Sequence, residues 1–347
     1  MRKHIVTHPP RLAVVGFGFW GRLCHSQLIA STPGLALAGV VSGSEAKRQA
    51  ATDAYGCRTW PTFDDCLADP DVDAVVLATP NHTHADLTVR ALEAGKHVVT
   101  DKVMCMNMGE FDRMAAAAEQ AGRLLTVFQN RRWDGDFLTL KALVANGDLG
   151  DLRWLEAAWM NFGPWGGWRS SKSQGGGRIY DLGPHLLDQI LLLFPEPVET
   201  VYCRTHYDHP GCDVESEGLI VLTFRDGRTA IADVSSLAAI PKPRLYARGT
   251  AGTFIKYGLD PQEDALRHGD IDQATEAPEN YGRLKTRDRD EAIPTLPGRW
   301  RSFYENFRDA LLGQADPIVT LPQQRRLIRV FDAARQSEAT GQVVRLD

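Results

Sequence analysis

In the first third of the chain the apolar residues fall in short, nearly continuous runs separated by longer stretches with helical spacing. The runs are Leu12 to Gly16, Leu35 to Ser42, Ala74 to Thr79, His97 to Thr100 and Leu124 to Gln129, and Met108 to Ala121 is a clear periodic stretch. Strands apolar on both faces need cover on both faces, which crossover helices give to a parallel sheet. After Asn130 the texture changes. A helix is expected at Phe137 to Ala145, an aromatic-rich strand at Leu152 to Met160 and, past a glycine-rich stretch, an amphipathic helix at Pro184 to Phe194. Strand patterns follow at Val198 to Tyr207, Glu217 to Phe224, Thr229 to Ser236, Leu245 to Arg248 and Phe254 to Tyr257, with turns such as Asp226-Gly227 between them. Pro261 to Pro297 is polar and aperiodic and is expected to run over the surface, and helices at Trp300 to Leu312 and Pro322 to Thr340 close the chain. The pattern predicts an α/β chain of two domains. Residues 1–128 form an N-terminal doubly wound (Rossmann) domain, and residues 129–347 a C-terminal α+β domain with a large open, mostly antiparallel sheet.

Length and charge narrow the function. A chain of 347 residues, 43% apolar and 24% charged, exceeds what one core usually organises. The net charge of −5 comes without a basic run, so nucleic acid is not an expected partner. No uninterrupted apolar run has membrane-spanning or signal-peptide length, so no membrane partner and a cytoplasmic location are expected. Six scattered cysteines, none spaced C-x-x-C, read as reduced thiols.

Chemistry enters with Gly16-Phe17-Gly18-Phe19-Trp20-Gly21, which follows a strand and opens a helix. Glycines there permit a tight turn and let the backbone approach a pyrophosphate, so Gly16, Gly18, Phe19, Trp20 and Gly21 are candidate dinucleotide contacts. At the end of the second strand an NAD site usually offers a carboxylate to the ribose. Here stand Ser42 and Ser44, with Lys47 and Arg48 one turn on. Hydroxyls and cations favour the 2′-phosphate of NADP, and the neighbouring Glu45 keeps NAD open. Thr100-Asp101-Lys102-Val103 ends a further strand, where side chains line the ligand crevice. Tyr180-Asp181-Leu182-Gly183-Pro184-His185 opens the amphipathic helix, with Asp181 expected as its N-cap and His185 beside it. Asp181, His185 and His206 or His209 match no zinc signature, so no metal is expected.

Taken together, these segments resemble the glucose-fructose oxidoreductase and inositol dehydrogenase (Gfo/Idh/MocA) family along nearly the whole chain. The glycine loop, Ala78-Thr79-Pro80-Asn81-His82-Thr83-His84, Ala94-Gly95-Lys96-His97-Val98-Val99 leading into Asp101-Lys102, and Asp181-x-Gly183-x-His185 occur in order. Asn130-Arg131-Arg132-Trp133-Asp134 and Ile255 to Glu263 look like its NADP-dependent scyllo-inositol dehydrogenase branch. The resemblance implies that Lys102 hydrogen-bonds the reacting hydroxyl, His185 exchanges its proton, and Asp181 orients the pair or a neighbouring hydroxyl. It also implies that Thr79, Pro80, Asn81, His84, Asp101 and Asn130 border the cofactor, as would the Trp168-Arg169 pair. The family usually writes Glu-Lys-Pro where this chain has Asp101-Lys102-Val103.

The chemistry agrees independently. A secondary alcohol is too weak an acid to lose its proton unaided, so its oxidation needs a base titrating near neutrality and a cation against the developing alkoxide. Aromatic walls with a few polar groups suit a sugar-like ring, and Arg131, Trp133, Asn161, Trp165, Tyr180 and Asp188 are further substrate candidates. The expected function is hydride transfer between NADP, or NAD, and a cyclic polyol or sugar, scyllo-inositol first. A pyranose, glycoside, keto-sugar or anhydro-sugar substrate stays open, as does a sensor that binds without turnover. The open sheet predicts a homodimer or homotetramer.

Overall fold

The computed structural model describes residues 5–346. Two compact units emerge, one running through Gln129 and taking in Arg301–Ile328, the other comprising Asn130–Trp300 and the chain from Arg329.

In the first unit six parallel strands, β1 (Arg11–Val15), β2 (Ala36–Val41), β3 (Arg58–Trp60), β4 (Ala74–Leu77), β5 (His97–Thr100) and β6 (Leu125–Val127), lie in the order β3-β2-β1-β4-β5-β6. Every residue of β4 and β5 is buried, as expected of strands covered on both faces. Chain order reverses between β1 and β4, and in such sheets the ligand crevice lies beyond the carboxyl ends at that reversal. β3 adds a strand that the apolar pattern does not mark. It is an edge strand with one buried residue, Trp60, and so has no apolar run to show. The helix Met108–Ala121 is fixed at its start by reciprocal capping, Glu110 N donating to Asn107 Oδ1 at 2.9 Å and Met106 N to Glu110 Oε2 at 2.8 Å. The helix Arg301–Leu311, which its place in the chain assigns to the second domain, packs here instead. Phe303 meets Phe128 edge-on at 4.9 Å, and the Thr126 hydroxyl donates to Val319 O at 2.9 Å.

The second unit carries nine strands, β7 (Leu152–Met160), β8 (Val198–His206), β9 (Glu217–Phe224), β10 (Thr229–Ser235), β11 (Leu245–Gly249), β12 (Gly252–Lys256), β13 (Gly282–Thr286), β14 (Asp290–Ile293) and β15 (Val344–Arg345). Their order is β14-β13-β12-β11-β7-β10-β9-β8-β15, antiparallel except where β7 meets β10. β9 alternates half-buried and buried residues, the mark of a sheet with one packed face. The polar stretch expected as an irregular excursion is partly regular. It forms a helix, Gln262–Arg267, and the β13–β14 hairpin at the sheet edge, held by Arg283 and Lys285 on Asp290 at 2.5 and 2.7 Å. An edge hairpin with most of its side chains in water needs little apolar signal, and only Gly282 and Leu284 of its strand residues are buried.

Candidate active site

The glycine loop leaves the carboxyl end of β1 and enters a wide helical turn, Gly21–Ser26. A side chain at Gly16, where φ is +95°, would come within 2.5 Å of Ala78 O, and one at Gly21 within 1.9 Å of Gly16 O. These two glycines are demanded by the protein's own backbone. A Cβ at Gly18 would meet no protein atom within 4 Å. The space that glycine keeps open is where a pyrophosphate approaches such a loop, so the residues fit a dinucleotide. Phe19, 44% exposed, packs edge-on against Trp20.

At the end of β2, Ser44 caps the helix Glu45–Tyr55, and Arg48 Nη1 donates to Ser42 O at 2.7 Å. The Arg48 guanidinium is thereby held at the strand end, and Glu45 and Lys47 are exposed. After β4, the Thr79 and Thr83 hydroxyls lie 2.7 Å apart and Thr83 donates to Pro80 O, shaping the turn that begins with the buried Asn81. His84, expected at the cofactor, is fully buried. Its ring nitrogens lie 2.7 Å from Val103 O and 3.0 Å from Thr79 O, and burial holds it below the usual imidazole range. It braces two crevice loops from behind and presents no ring atom to a ligand. Lys96 is structural too, its ammonium donating to Asp69 O and Val72 O at 2.8 Å.

Lys102 follows β5. Asp101 N donates to Leu77 O at 2.9 Å, Lys102 N donates to Asp101 Oδ1 at 2.7 Å, and the Lys102–Val103 peptide is cis. Burial alone would raise Asp101. His25, Lys102 and His84 outweigh it and hold the carboxyl below its ordinary value, so it is ionised.

In the second unit, Asp181 does not cap the helix that carries His185. It ends a separate short helix, Arg178–Asp181, and the cap position of Gly183–Leu193 falls on Leu182. Freed from capping, the carboxylate pairs with Arg169 Nε at 3.2 Å, and the Arg169 guanidinium lies 4.6 Å over Trp168. His185 sits in the first turn of its helix, its ring 5.8 Å from that of Trp159. The structure thus joins Trp168, Arg169 and Asp181 in one chain of contacts.

Arg131, expected at the substrate, is buried with Trp159 and Trp300 facing it at 4.3 and 5.0 Å, and it pairs with Asp134 and Glu263. Such a committed guanidinium is a core ion. Burial raises Asp134, with Arg131 opposing it. Asp188 pairs with Arg132 at 2.7 Å in the same interior, and Asn130 is buried as well. Asn161 and Trp165 stay partly exposed and are ordered by Arg178, which donates to Asn161 Oδ1 at 3.2 Å and lies 4.0 Å over the Trp165 ring. Burial lowers Arg178 to about 10 against the pull of Asp181 and Glu215. Tyr180 stacks on Phe331 at 5.4 Å, and Trp133 remains partly exposed. Among the described residues, no three His, Cys, Asp or Glu side chains form a metal-holding group.

Glu215 escapes a sequence reading because it neighbours none of the motifs in the chain. Its Oε1 accepts from Ile179 N at 2.6 Å at the start of the helix that ends in Asp181, and burial raises its carboxyl to about 7. With the folded value above the free one, the fold favours the protonated form, so this contribution to stability is complete at acid pH and is lost as pH rises through 7. Glu215→Gln keeps the acceptor and abolishes the titration. The variant is expected to match wild type near pH 5 and exceed it at pH 8 by on the order of 2 kcal/mol. Denaturant melts at the two pH values test this, and equal pH profiles for the two proteins would sink it.

A parallel sheet with its glycine loop at the strand-order reversal is the architecture of a dinucleotide-binding domain, and the comparisons give the class, an NAD(P)-binding oxidoreductase. Residues 10–129 match the oxidoreductase family model with an NAD-binding Rossmann fold, and residues 137–255 match the GFO/IDH/MocA C-terminal domain. The chain belongs to the GFO/IDH/MocA oxidoreductase family. It is 35% identical to the uncharacterized oxidoreductase YdgJ of Escherichia coli, across 94% of this chain and 96% of that one. It is 31% identical to the scyllo-inositol 2-dehydrogenase (NADP(+)) IolW of Bacillus subtilis, across 97% and 96%. The solved structure of the oxidoreductase yvaA from Bacillus subtilis superposes with a TM-score of 0.92 at 28% identity over the full length of both chains. Among the described residues no helix is long and apolar enough to cross a membrane.

Proposed function

We propose that the protein interconverts a secondary alcohol and a ketone on a cyclic polyol, scyllo-inositol first, using NADP. The observation that carries this reading is the intact set of Lys102, Asp181 and His185, with Asp181 held by Arg169 rather than spent on a helix cap. When bound, the nicotinamide accepts or returns the hydride. His185 takes the hydroxyl proton, the Lys102 ammonium faces the charge that develops on the oxygen, and Asp181 orients the hydroxyl pair. Trp133, Asn161, Trp165 and Tyr180 supply the walls and directed polar groups of a ring site. The scyllo-inositol dehydrogenase activity of the similar IolW supports the substrate choice. The first test is reduction of NADP and NAD by the purified protein across inositol isomers, aldoses and glycosides. Turnover on an inositol supports the reading, turnover only on a sugar or glycoside moves the substrate, and tight NADP binding with no turnover favours a sensor.

NADP is favoured because Ser44, Lys47 and Arg48 gather at the end of β2, with Arg48 fixed on Ser42 O. Lys47→Ala/Arg48→Ala is expected to raise KM for NADP by about tenfold or more while changing that for NAD little, as two lost charge-assisted contacts would. An equal effect on both cofactors counts against the 2′-phosphate. We also propose a homodimer or a dimer of dimers. Half-buried Leu219 and Val221 on β9 and Ile231 on β10 lie on alternate positions to the packed face and give a partner an apolar surface. Light scattering that reads a 38.4 kDa monomer would overturn this.

A further inference from the structure

Behind Lys102 runs a buried polar chain that neither the motifs nor the relatives' names assign. His25, in the turn after the glycine loop, is fully buried, its ring 4.5 Å from that of Phe128. Its Nδ1 lies 2.6 Å from the Tyr304 hydroxyl and its Nε2 3.6 Å from Asp101 Oδ2. Tyr304 is fully buried too, and burial pushes its hydroxyl well above the usual phenol range, so it keeps its proton and can donate. With the Tyr304 hydroxyl donating to Nδ1, the imidazole turns an Nε2 proton toward Asp101. The other Asp101 oxygen receives the Lys102 amide at 2.7 Å. The groups facing Asp101 are His25 from the glycine-loop turn, His84 from the helix after β4, and Lys102 itself.

We propose that His25, with its tautomer set by Tyr304, is a positioning residue that anchors the Asp101 carboxylate and so fixes where the end of β5 delivers Lys102. This rests on the reading that Lys102 faces the reacting oxygen. Asp101 is held by a hydrogen bond from the Lys102 amide on one oxygen and faces His25 Nε2 in a longer polar contact, at 3.6 Å, on the other. Without His25 the carboxylate rotates about its side-chain bonds and carries the Lys102 backbone with it. A misplacement of that size at a reacting group lowers turnover without weakening cofactor binding.

Three variants separate positioning from packing. His25→Leu is expected to lower kcat by about tenfold, as a sub-ångström misplacement of a reacting group would, with KM for NADP unchanged. His25→Gln, whose amide places a donor near the Nε2 position, is expected to recover most of that loss. Tyr304→Phe removes the donor that sets the tautomer while keeping the ring, and its kcat is expected to fall several-fold. Two readouts need no turnover. Long-range nitrogen–proton correlations should find the His25 ring protonated on Nε2 alone at pH 7. The Lys102 amide proton, shifted downfield by the carboxylate, should move upfield in His25→Leu and return in His25→Gln. A ring protonated on Nδ1, or an unmoved Lys102 amide in His25→Leu, overturns the proposal. Absence of turnover by wild type would instead count against the proposed function, and the two spectroscopic results would still decide this one.

Discussion

Lys102→Ala is expected to lower kcat on the polyol by a factor on the order of 10³, with NADP affinity nearly unchanged and the fold intact. The size of the loss follows from timing. The ground-state hydroxyl is neutral and gains little from an ammonium, whereas the oxygen that has given up its proton gains a great deal, so the interaction is stronger in the transition state. Stability is spared because Lys102 is partly exposed and its position rests on backbone contacts, Asp101 N on Leu77 O and Lys102 N on Asp101 Oδ1, which survive truncation at Cβ. His185→Ala is expected to cost a similar factor, within the usual range for removal of a general base. The double variant should lose little more than either single one, because the cation helps chiefly once the base has taken the proton. Steady-state rates at saturating polyol, cofactor titration by fluorescence and thermal melts make the measurement. A Lys102→Ala enzyme within tenfold of wild type would remove Lys102 from the chemistry.

What the sequence displays and what it hides both follow from where the information lies. β1, β4 and β5 are legible because a strand covered on both faces must be apolar throughout, and the glycine loop is legible because backbone contacts forbid side chains at fixed spacing. β3 and the β13–β14 hairpin are edge elements with few buried residues, so their strand character resides in pairing partners that local pattern does not name. Asp181 two residues before Gly183-Pro184 has the look of a cap. The preceding glycines allow an extra helical turn, and the carboxylate turns to Arg169 instead. Arg131 among tryptophans looks like a ring-binding group, yet its partner Glu263 is far along the chain, and that pairing makes it a core ion. His25 leaves only a faint trace, a polar residue among the buried Cys24, Leu28 and Ile29, because its reason for being there, Tyr304, lies near the other end of the sequence. Motifs therefore locate the groups that meet ligand, and long-range ion pairs decide which other polar residues are left to do so.

Gly18→Ala and Gly21→Ala are expected to fail in opposite ways. At Gly21 the new methyl would lie 1.9 Å from Gly16 O, far inside contact distance, and the obstacle is backbone that cannot swing aside. The turn must shift, and a loss of about 4 kcal/mol or more is expected, on the order of 10 °C in Tm. At Gly18 the methyl meets no protein atom within 4 Å, so the folded chain should keep its Tm within a few degrees. The only thing it can obstruct is something that is not protein. If the loop receives the pyrophosphate, Gly18→Ala should weaken NADP binding by about tenfold or more, because the backbone no longer approaches the phosphate oxygens. Thermal melts beside fluorescence titrations separate the two effects. Unweakened NADP binding by Gly18→Ala would mean that the open space at this glycine is not where the dinucleotide lies.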